Sequence, residues 1–520
     1  MVSYNLLTES WIPVRGKDGK ISEKGILETL EYAHKLEEIC DPAPPVQFGI
    51  YRLLIAFLMD AYQLQSLEDL GNLIEKGKFD KEVLEKYASQ WHDRFDLFDE
   101  KHPFMQVPRD DLKKAKEPIS RLMQHIPAGT NVSHFHHGNW ENNAYSFAQC
   151  ARGLVTVPPF MTAGGAGLSP SINGNPPWYV LVKGDDLFQT LALNICKIPL
   201  LIKTQDSNPP VWRDDNFLGK DNHKSFSIVE GLTWRPRSIH MVPESGGLCT
   251  YTGKENTGLV RYMYFASGLK APEPGLWSDP QVAYILGKDG MRTVKPEENK
   301  EMWRDIGPLM LLQEEDYTTI DGKRYQRPAI VKQYTELANR GIVSKNRPLT
   351  IEVYGIRTDG KMKFYEWYFE RLTLPWGLLY RKSAGKQIQE AMDYSSKTVE
   401  VIKKALKDVY SEGAGNLIIR AQSSFWRSLK SQFKDQFLER LAEEDDTDPD
   451  APAKLLTDWK KVLEQEGYKS LSTVIEHLDA NGNELRHQVE ARGKYWMYIK
   501  SELYPEQKKK KQKKKEVISA

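Results

Sequence analysis

Cysteine is scarce in this chain. Its 520 residues include four, Cys40, Cys150, Cys196 and Cys249, and no two stand at C-x-x-C spacing. That excludes a zinc ribbon and a disulfide framework, and it fits a reducing cytoplasm. Long apolar runs are missing as well. The longest, Leu53 to Met59, falls far short of the roughly 20 residues that cross a bilayer. The N-terminus (MVSYNLLTESWIPVR) lacks a basic stretch leading into an apolar one, so neither a membrane span nor a standard secretory signal is expected. Charge of one sign is not in excess either. The formal net charge is +1, and residues 506–520 hold seven lysines against two glutamates, which leaves +1 − 5 = −4 for residues 1–505. Binding of nucleic acid by bulk charge is excluded, so any such contact must come from local patches. Catalytic signatures are also absent: there is no G-x-S-x-G, no H-E-x-x-H, no Walker A and no paired histidine-and-aspartate nuclease motif.

What is present is a soluble composition, 40% apolar and 28% charged, in a chain long enough for two domains or more. The start reads as a β-hairpin, with Leu6, Leu7, Trp11, Ile12 and Val14 as strand formers and Asp18-Gly19 as the turn. Val46 to Leu64 is apolar nearly all round and predicts a buried helix with Arg52 and Asp60 on its wetter side. From Pro103 to about Leu379 frequent Gly and Pro separate short runs such as Trp178 to Val182 and Leu349 to Tyr354, a loop-rich α/β region. After Tyr380 proline disappears until Pro449. Val399, Ile402, Leu406 and Val409, then Ile418, Gln422, Phe425, Leu429, Phe433 and Phe437, recur at helical spacing. Leu455, Trp459, Val462 and Leu463 begin a third stripe and Leu485 to Leu503 a fourth. The fold class is therefore α+β: a large mixed α/β N-terminal domain over residues 1–379, a C-terminal up-down four-helix bundle over 380–505 and a disordered Lys-rich tail over 506–520.

Residues 128–177 are written unlike any core element. A segment rich in His, Asn and Trp (AGTNVSHFHHGNWENNA) precedes a glycine-rich one (FMTAGGAGLSPSINGNPP). Gly164, Gly165 and Gly167 allow positive φ and close approach, while the prolines forbid regular continuation. The segment is neither a P-loop nor a dinucleotide fingerprint, which leaves a structural turn or a ligand-contacting loop. His134, His136 and His137 raise the reading of a metal-dependent nuclease. Adjacent His136 and His137 cannot easily face one ion, however, and no acidic partner stands at ligand spacing. Asn131, Phe135, Trp140, Asn142 and Asn143 offer amides and stackable rings, which suit single-stranded nucleic acid as well as an ordinary capped loop. Arg357 to Lys361 sits between two strand-like runs and reads as a hairpin tip.

Several short motifs, taken in order, resemble the CasA family, the large subunit of the type I-E CRISPR Cascade surveillance complex. They are Asn5-Leu6-Leu7 with Trp11-Ile12-Pro13-Val14-Arg15; His102-Pro103-Phe104-Met105-Gln106; Thr130-Asn131; the glycine segment; Gly231-Leu232-Thr233-Trp234-Arg235-Pro236; and Gly275-Leu276-Trp277. The resemblance spans the chain to about residue 503. It implies a non-catalytic cytoplasmic subunit without cofactor, with the crRNA 5′ end and the other Cascade subunits as partners. Such a subunit recognises a protospacer-adjacent motif in double-stranded DNA through the minor groove, helps to open the duplex and recruits a helicase-nuclease; a purely structural scaffold is the bland alternative. A glycine loop that approaches a narrow groove suits permissive reading of a degenerate pattern, and pairing by guide RNA would supply most of the specificity. Carried over by position, the resemblance puts the glycine loop at Met161, Thr162, Ala163, Gly164 and Gly165, and the minor-groove lysine at Lys270. The duplex wedge falls at Thr358, Asp359, Gly360 and Lys361, without the family's glutamine at the tip. The loop toward the crRNA end covers Asn131 to Asn143, with Phe135 as its stacking residue and His136 and His137 beside it. Some members carry a cysteine cluster near Cys249; here Cys249 stands alone, so no zinc is expected.

Overall fold

A computed structural model describes residues 2–505 apart from 109–115, 127–141, 165–166, 205–207, 216–225, 271, 274, 289, 299, 312–323, 346, 360–363, 381–383, 444–447, 449 and 479–480. The chain divides into two units. The larger holds residues 1–302, 308–314 and 318–374; the smaller holds 303–307, 315–317 and 375–520. Mixed α/β architecture followed by C-terminal helices is the α+β class expected from the sequence. No described helix is long and apolar enough to cross a membrane.

The larger unit begins with a three-stranded antiparallel sheet, Ile21–Lys24, Ile12–Gly16 and Leu36–Ile39 in that spatial order. Gly19 takes φ +79° in the turn, and the Lys20 amide donates to Asp18 Oδ1 at 3.1 Å. The first strand starts only at Ile12; Leu6 and Leu7 are buried in the preceding turn. Helix Pro44–Tyr62 starts on two prolines, where missing N–H groups cost nothing, and ends on Gln63 in the left-handed region. It covers a second antiparallel sheet in which Leu349–Thr358 lies between Tyr179–Lys183 and Phe364–Leu374. Phe48 of the helix stacks on Tyr179 at 4.7 Å and lies 5.2 Å from Tyr354. Burial corrects one expectation: Arg52 and Asp60, assigned to a wet face, are 1% and 7% exposed. Both are tolerated inside because each meets an opposite charge, Arg52 at Asp279 (2.6 Å) and Asp60 at Arg213 (2.7 Å).

A long hairpin, Arg237–Leu248 with Glu255–Ser267, carries the short strands Lys116–Pro118 and Tyr145–Ser146 along its second arm. A small sheet of Gly290–Thr293, Tyr284–Gly287 and Arg324–Gln326 completes the described strands.

In the smaller unit, helices Ala384–Tyr410, Ala414–Gln432, Ala451–Ile475 and Gly482–Leu503 pack as an antiparallel bundle. The second continues through a π-helical segment, Phe433–Leu438, into Glu439–Glu443. Its buried stripe runs through Ala414, Leu417 and Ala421 rather than Ile418 and Gln422, then follows Phe425 and Leu429. Gly467 sits mid-helix because a Cβ there would come within 2.3 Å of the Tyr495 hydroxyl. Trp303, from the short segment that joins this unit, packs 5.3 Å from Phe433, and Arg304 lies 3.7 Å over the Trp426 ring.

Candidate nucleic-acid interface

The glycine segment leaves the one-turn helix Val157–Phe160 at Met161 and returns at Ser171, whose amide donates to Met161 O at 2.7 Å. Between them the Gly164 amide donates to Leu168 O at 3.0 Å, and Gly167 turns the chain at φ +79°, where a Cβ would be strained. Both sides of the loop converge on Arg237. Its Nη2 donates to Thr162 O at 2.6 Å, and its Nη1 donates to Ser169 O and to Pro236 O. This guanidinium is 1% exposed, and no carboxylate pairs with it among the described residues. Burial, then the neighbouring Arg121 charge, pushes its pKa down to about 10, so it stays cationic at neutral pH. Arg121 and Arg237 lie 5.3 and 5.6 Å from the centre of the Phe265 ring. The loop is thus tied down by a buried positive charge whose two Nη atoms donate to neutral carbonyls while its Nε has no partner among the described residues, an arrangement that raises the potential beneath it.

The opposite arm of the hairpin completes the site. Ser267 Oγ donates to Gly167 O at 3.1 Å. The amides of Gly268 and Leu269 then donate to Pro236 O (3.0 Å) and Arg235 O (2.8 Å). A Cβ at Gly268 would stand 2.4 Å from that Arg235 oxygen. Lys270 follows, exposed, three residues beyond the serine that holds the loop. The glycine segment is thus bonded to the hairpin arm three residues before Lys270.

Beneath the loop lies the explanation of two sequence motifs. Ile172, Phe226, Trp234 and Trp277 form a buried cluster with Leu269 and Leu276 against it. Gly231 is required because a Cβ would reach 2.1 Å from the Trp277 ring. Trp277 Nε1 donates to Asn173 Oδ1 at 3.0 Å, and Asn173 Nδ2 donates to Asp279 (2.8 Å), the carboxylate that neutralises Arg52. Asn173, Arg237, Ser267 and Asp279 escaped the sequence reading. Arg237 alone left a signal: it shares the inward phase of its strand with Ile239 and Met241.

The candidate wedge is the end of the hairpin Leu349–Thr358 and Phe364–Leu374. Thr358 pairs with Phe364 after a bulge at Arg357, and Asp359 is exposed. Tyr354 pairs with Tyr179 across the sheet. Thr358 therefore stands at the end where the chain enters the sheet after the glycine segment, roughly 13 Å beyond that pair at 3.3 Å per residue. Gly165, Gly360 and Lys361 lie outside the described residues, as do Asn131, Phe135, His136 and His137. The described flanks of the His/Asn segment attach to the turn of the long hairpin: His125 Nε2 is 3.1 Å from the Tyr251 hydroxyl, and Thr250 Oγ1 donates to Asn143 Oδ1 at 3.4 Å. Cys249 is buried beside that turn, its Sγ accepting the Ser146 amide. Among the described residues no three metal-ligating side chains converge.

Comparison with known proteins agrees with this architecture. The family described as CRISPR-associated protein Cse1 matches residues 5–469. A CRISPR-associated protein CasA/Cse1 of Thermus thermophilus is 28% identical over 427 residues, covering 79% of this chain and 78% of that protein. The crystal structure of Cse1 from Acidimicrobium ferrooxidans superposes with a TM-score of 0.73 at 20% identity, over 96% of this chain and 98% of that one. A chain of a CRISPR RNA-guided surveillance complex gives 0.77 at 16% identity, over 95% and 100%.

Proposed function

Since this chain belongs to the CRISPR-associated protein Cse1 family, we propose that it is a non-catalytic subunit of an RNA-guided surveillance complex that reads a short motif flanking the target in double-stranded DNA. The observation that carries the reading is the anchoring of the glycine segment by Arg237 and Ser267 on the long hairpin, whose second arm leads through the pinned Gly268 and Leu269 to the exposed Lys270. A backbone-rich, side-chain-poor loop fits a narrow minor groove, and a lysine beside it supplies contact to groove acceptors or phosphate. The hairpin ending at Thr358 and Asp359 then serves as the wedge that opens the first base pairs, and guide RNA pairing supplies the remaining specificity. The crRNA 5′ end and the other complex subunits are its standing partners, and a helicase-nuclease is recruited after opening.

Competition binding of the assembled complex to targets with and without the flanking motif, at constant salt, tests this reading. Lys270→Ala should weaken motif-dependent binding by about 1 to 3 kcal/mol, and deletion of residues 358–361 should abolish duplex opening while binding of a pre-melted target survives. Unchanged motif dependence and opening in both variants would leave only a scaffold.

A further inference from the structure

Strand Phe364–Leu374 is the edge of its sheet. Along it, Tyr365, Trp367 and Phe369 are 50%, 41% and 39% exposed. Their alternation places Trp367 and Phe369 on the face that helix Pro44–Tyr62 covers further in, where Phe48 packs on Tyr354 and Tyr354 on Phe369 at 5.2 Å. The rings run on past the helix. Single exposed hydrophobics are ordinary, but three aromatic rings in a row along an edge strand are not, since edges usually carry charge or proline there.

The chemistry around the row has a direction. Glu366 and Glu370 alternate to the opposite phase of the strand, so the aromatic phase ends at Arg371. There Arg371 (2.5 Å), Arg15 (2.8 Å) and Lys183 (3.2 Å) surround Glu38, and Arg371 also meets Glu352 at 2.6 Å. Three cations stand against two carboxylates. At the tip end the Arg357 guanidinium, paired with Glu366, lies 4.8 Å over Tyr365.

We propose that Tyr365, Trp367 and Phe369 form a stacking platform for the single-stranded DNA released when the duplex opens at the hairpin tip. This rests on the reading of that tip as a wedge. Rings two residues apart on a strand are spaced at about 6.7 Å, roughly twice the 3.4 Å rise of a stacked strand. Bases laid on the platform are therefore unstacked from one another and stack on protein rings instead, as single-strand binders do without sequence preference. The cationic end at Arg371 and Arg15 receives the backbone as it leaves. By holding the freed bases the platform opposes reclosure of the duplex.

The test is a two-way cycle in the assembled complex. The protein carries either native rings or Tyr365→Thr/Trp367→Thr/Phe369→Thr; the target carries either an intact displaced strand or one with abasic sites over the first opened positions. Native protein should lose about tenfold or more in stable opening when the bases are removed, and the triple variant should lose as much on the intact strand. Combining the two changes should add little further loss. Tyr365→Phe/Trp367→Phe, which keeps the rings, should restore most of the native value. Full additivity, or a triple variant that opens the intact strand as well as native protein, overturns the platform. A triple variant that drops out of the complex before DNA is added also overturns it, because the rings then serve a subunit contact. If native protein shows no motif dependence, the function proposed above fails; additive losses with motif dependence intact remove the platform alone.

Discussion

The two long hairpins of the larger unit invert the usual pattern in opposite ways. Arg237–Ser267 turns a charge inward, at Arg237, where core residues are expected. Leu349–Leu374 turns aromatic rings outward, at Tyr365, Trp367 and Phe369, where charge is expected. Each departure carries an energetic cost that the fold alone does not require, and sites where local rules are broken are where function is to be sought. They differ in what they do to their surroundings. The inward charge orders a loop, because it is the shared donor to carbonyls seven residues apart. The outward rings tie down no loop: Phe369 leans on Tyr354 and Arg357 lies over Tyr365, yet all three rings stay 39–50% exposed.

The strongest way to break this comparison is at Arg237. Arg237→Met keeps most of the volume but leaves the Thr162, Ser169 and Pro236 carbonyls without their donor. Relief of the buried charge offsets part of that loss, so a net destabilisation of about 2 to 4 kcal/mol is expected in denaturant unfolding. Motif discrimination should fall further than stability accounts for, since the loop is released. Arg237→Lys can reach only one carbonyl well and should lie between. A variant of native stability with native discrimination would make the clamp irrelevant.

The contrast also marks how far the sequence could be read. The bundle was legible because its stripes repeat every three to four residues and depend on neighbours within the same helix; the slip was by one residue, from Ile418 and Gln422 to Leu417 and Ala421. Helix Pro44–Tyr62 was legible because it is apolar nearly all round, but the burial of Arg52 and Asp60 was not. Their partners Asp279 and Arg213 stand 227 and 153 residues away, beyond any local pattern. The motifs around Gly231 and Trp277 were visible as motifs, whereas their purpose, a glycine against an indole ring, exists only in three dimensions. The glycine segment was visible as a loop; that Arg237 and Ser267 tie it to the long hairpin was not.

The turn end of the first hairpin gives a smaller, pH-dependent handle. Burial pushes the His125 pKa down to about 4, against about 6.5 in an unfolded chain. The folded form thus holds His125 neutral, and stability from this group is fully present above pH 6.5 and lost as pH falls toward 4. The loss is at most about 3 kcal/mol. His125→Gln should flatten the unfolding free energy across that window; an unchanged slope would place the pH dependence elsewhere.

Lys270 sharpens the comparison from the functional side. It is exposed at the end of a hairpin arm already pinned through Gly268 and Leu269, so Lys270→Ala should leave unfolding within about 0.5 kcal/mol of native while motif binding weakens. Clamp and contact would then separate: Arg237 moves both readouts, Lys270 only one.

The smallest expected effect is the most decisive for the second hairpin. Tyr354 and Phe369 are cross-strand partners with rings 5.2 Å apart, yet Tyr354 is 1% exposed and Phe369 39%. Truncating Tyr354 to Ala removes a fully buried ring beside Phe48 and should cost about 3 to 5 kcal/mol. Trp367→Thr, two residues from Phe369 on the same edge, exchanges a half-exposed ring for a residue that favours strands, and should change stability by no more than about 0.5 kcal/mol. A large loss would mean that the indole is retained for packing. A negligible one would mean that the fold does not need it, and the reason for its presence would have to be sought in what the edge strand binds.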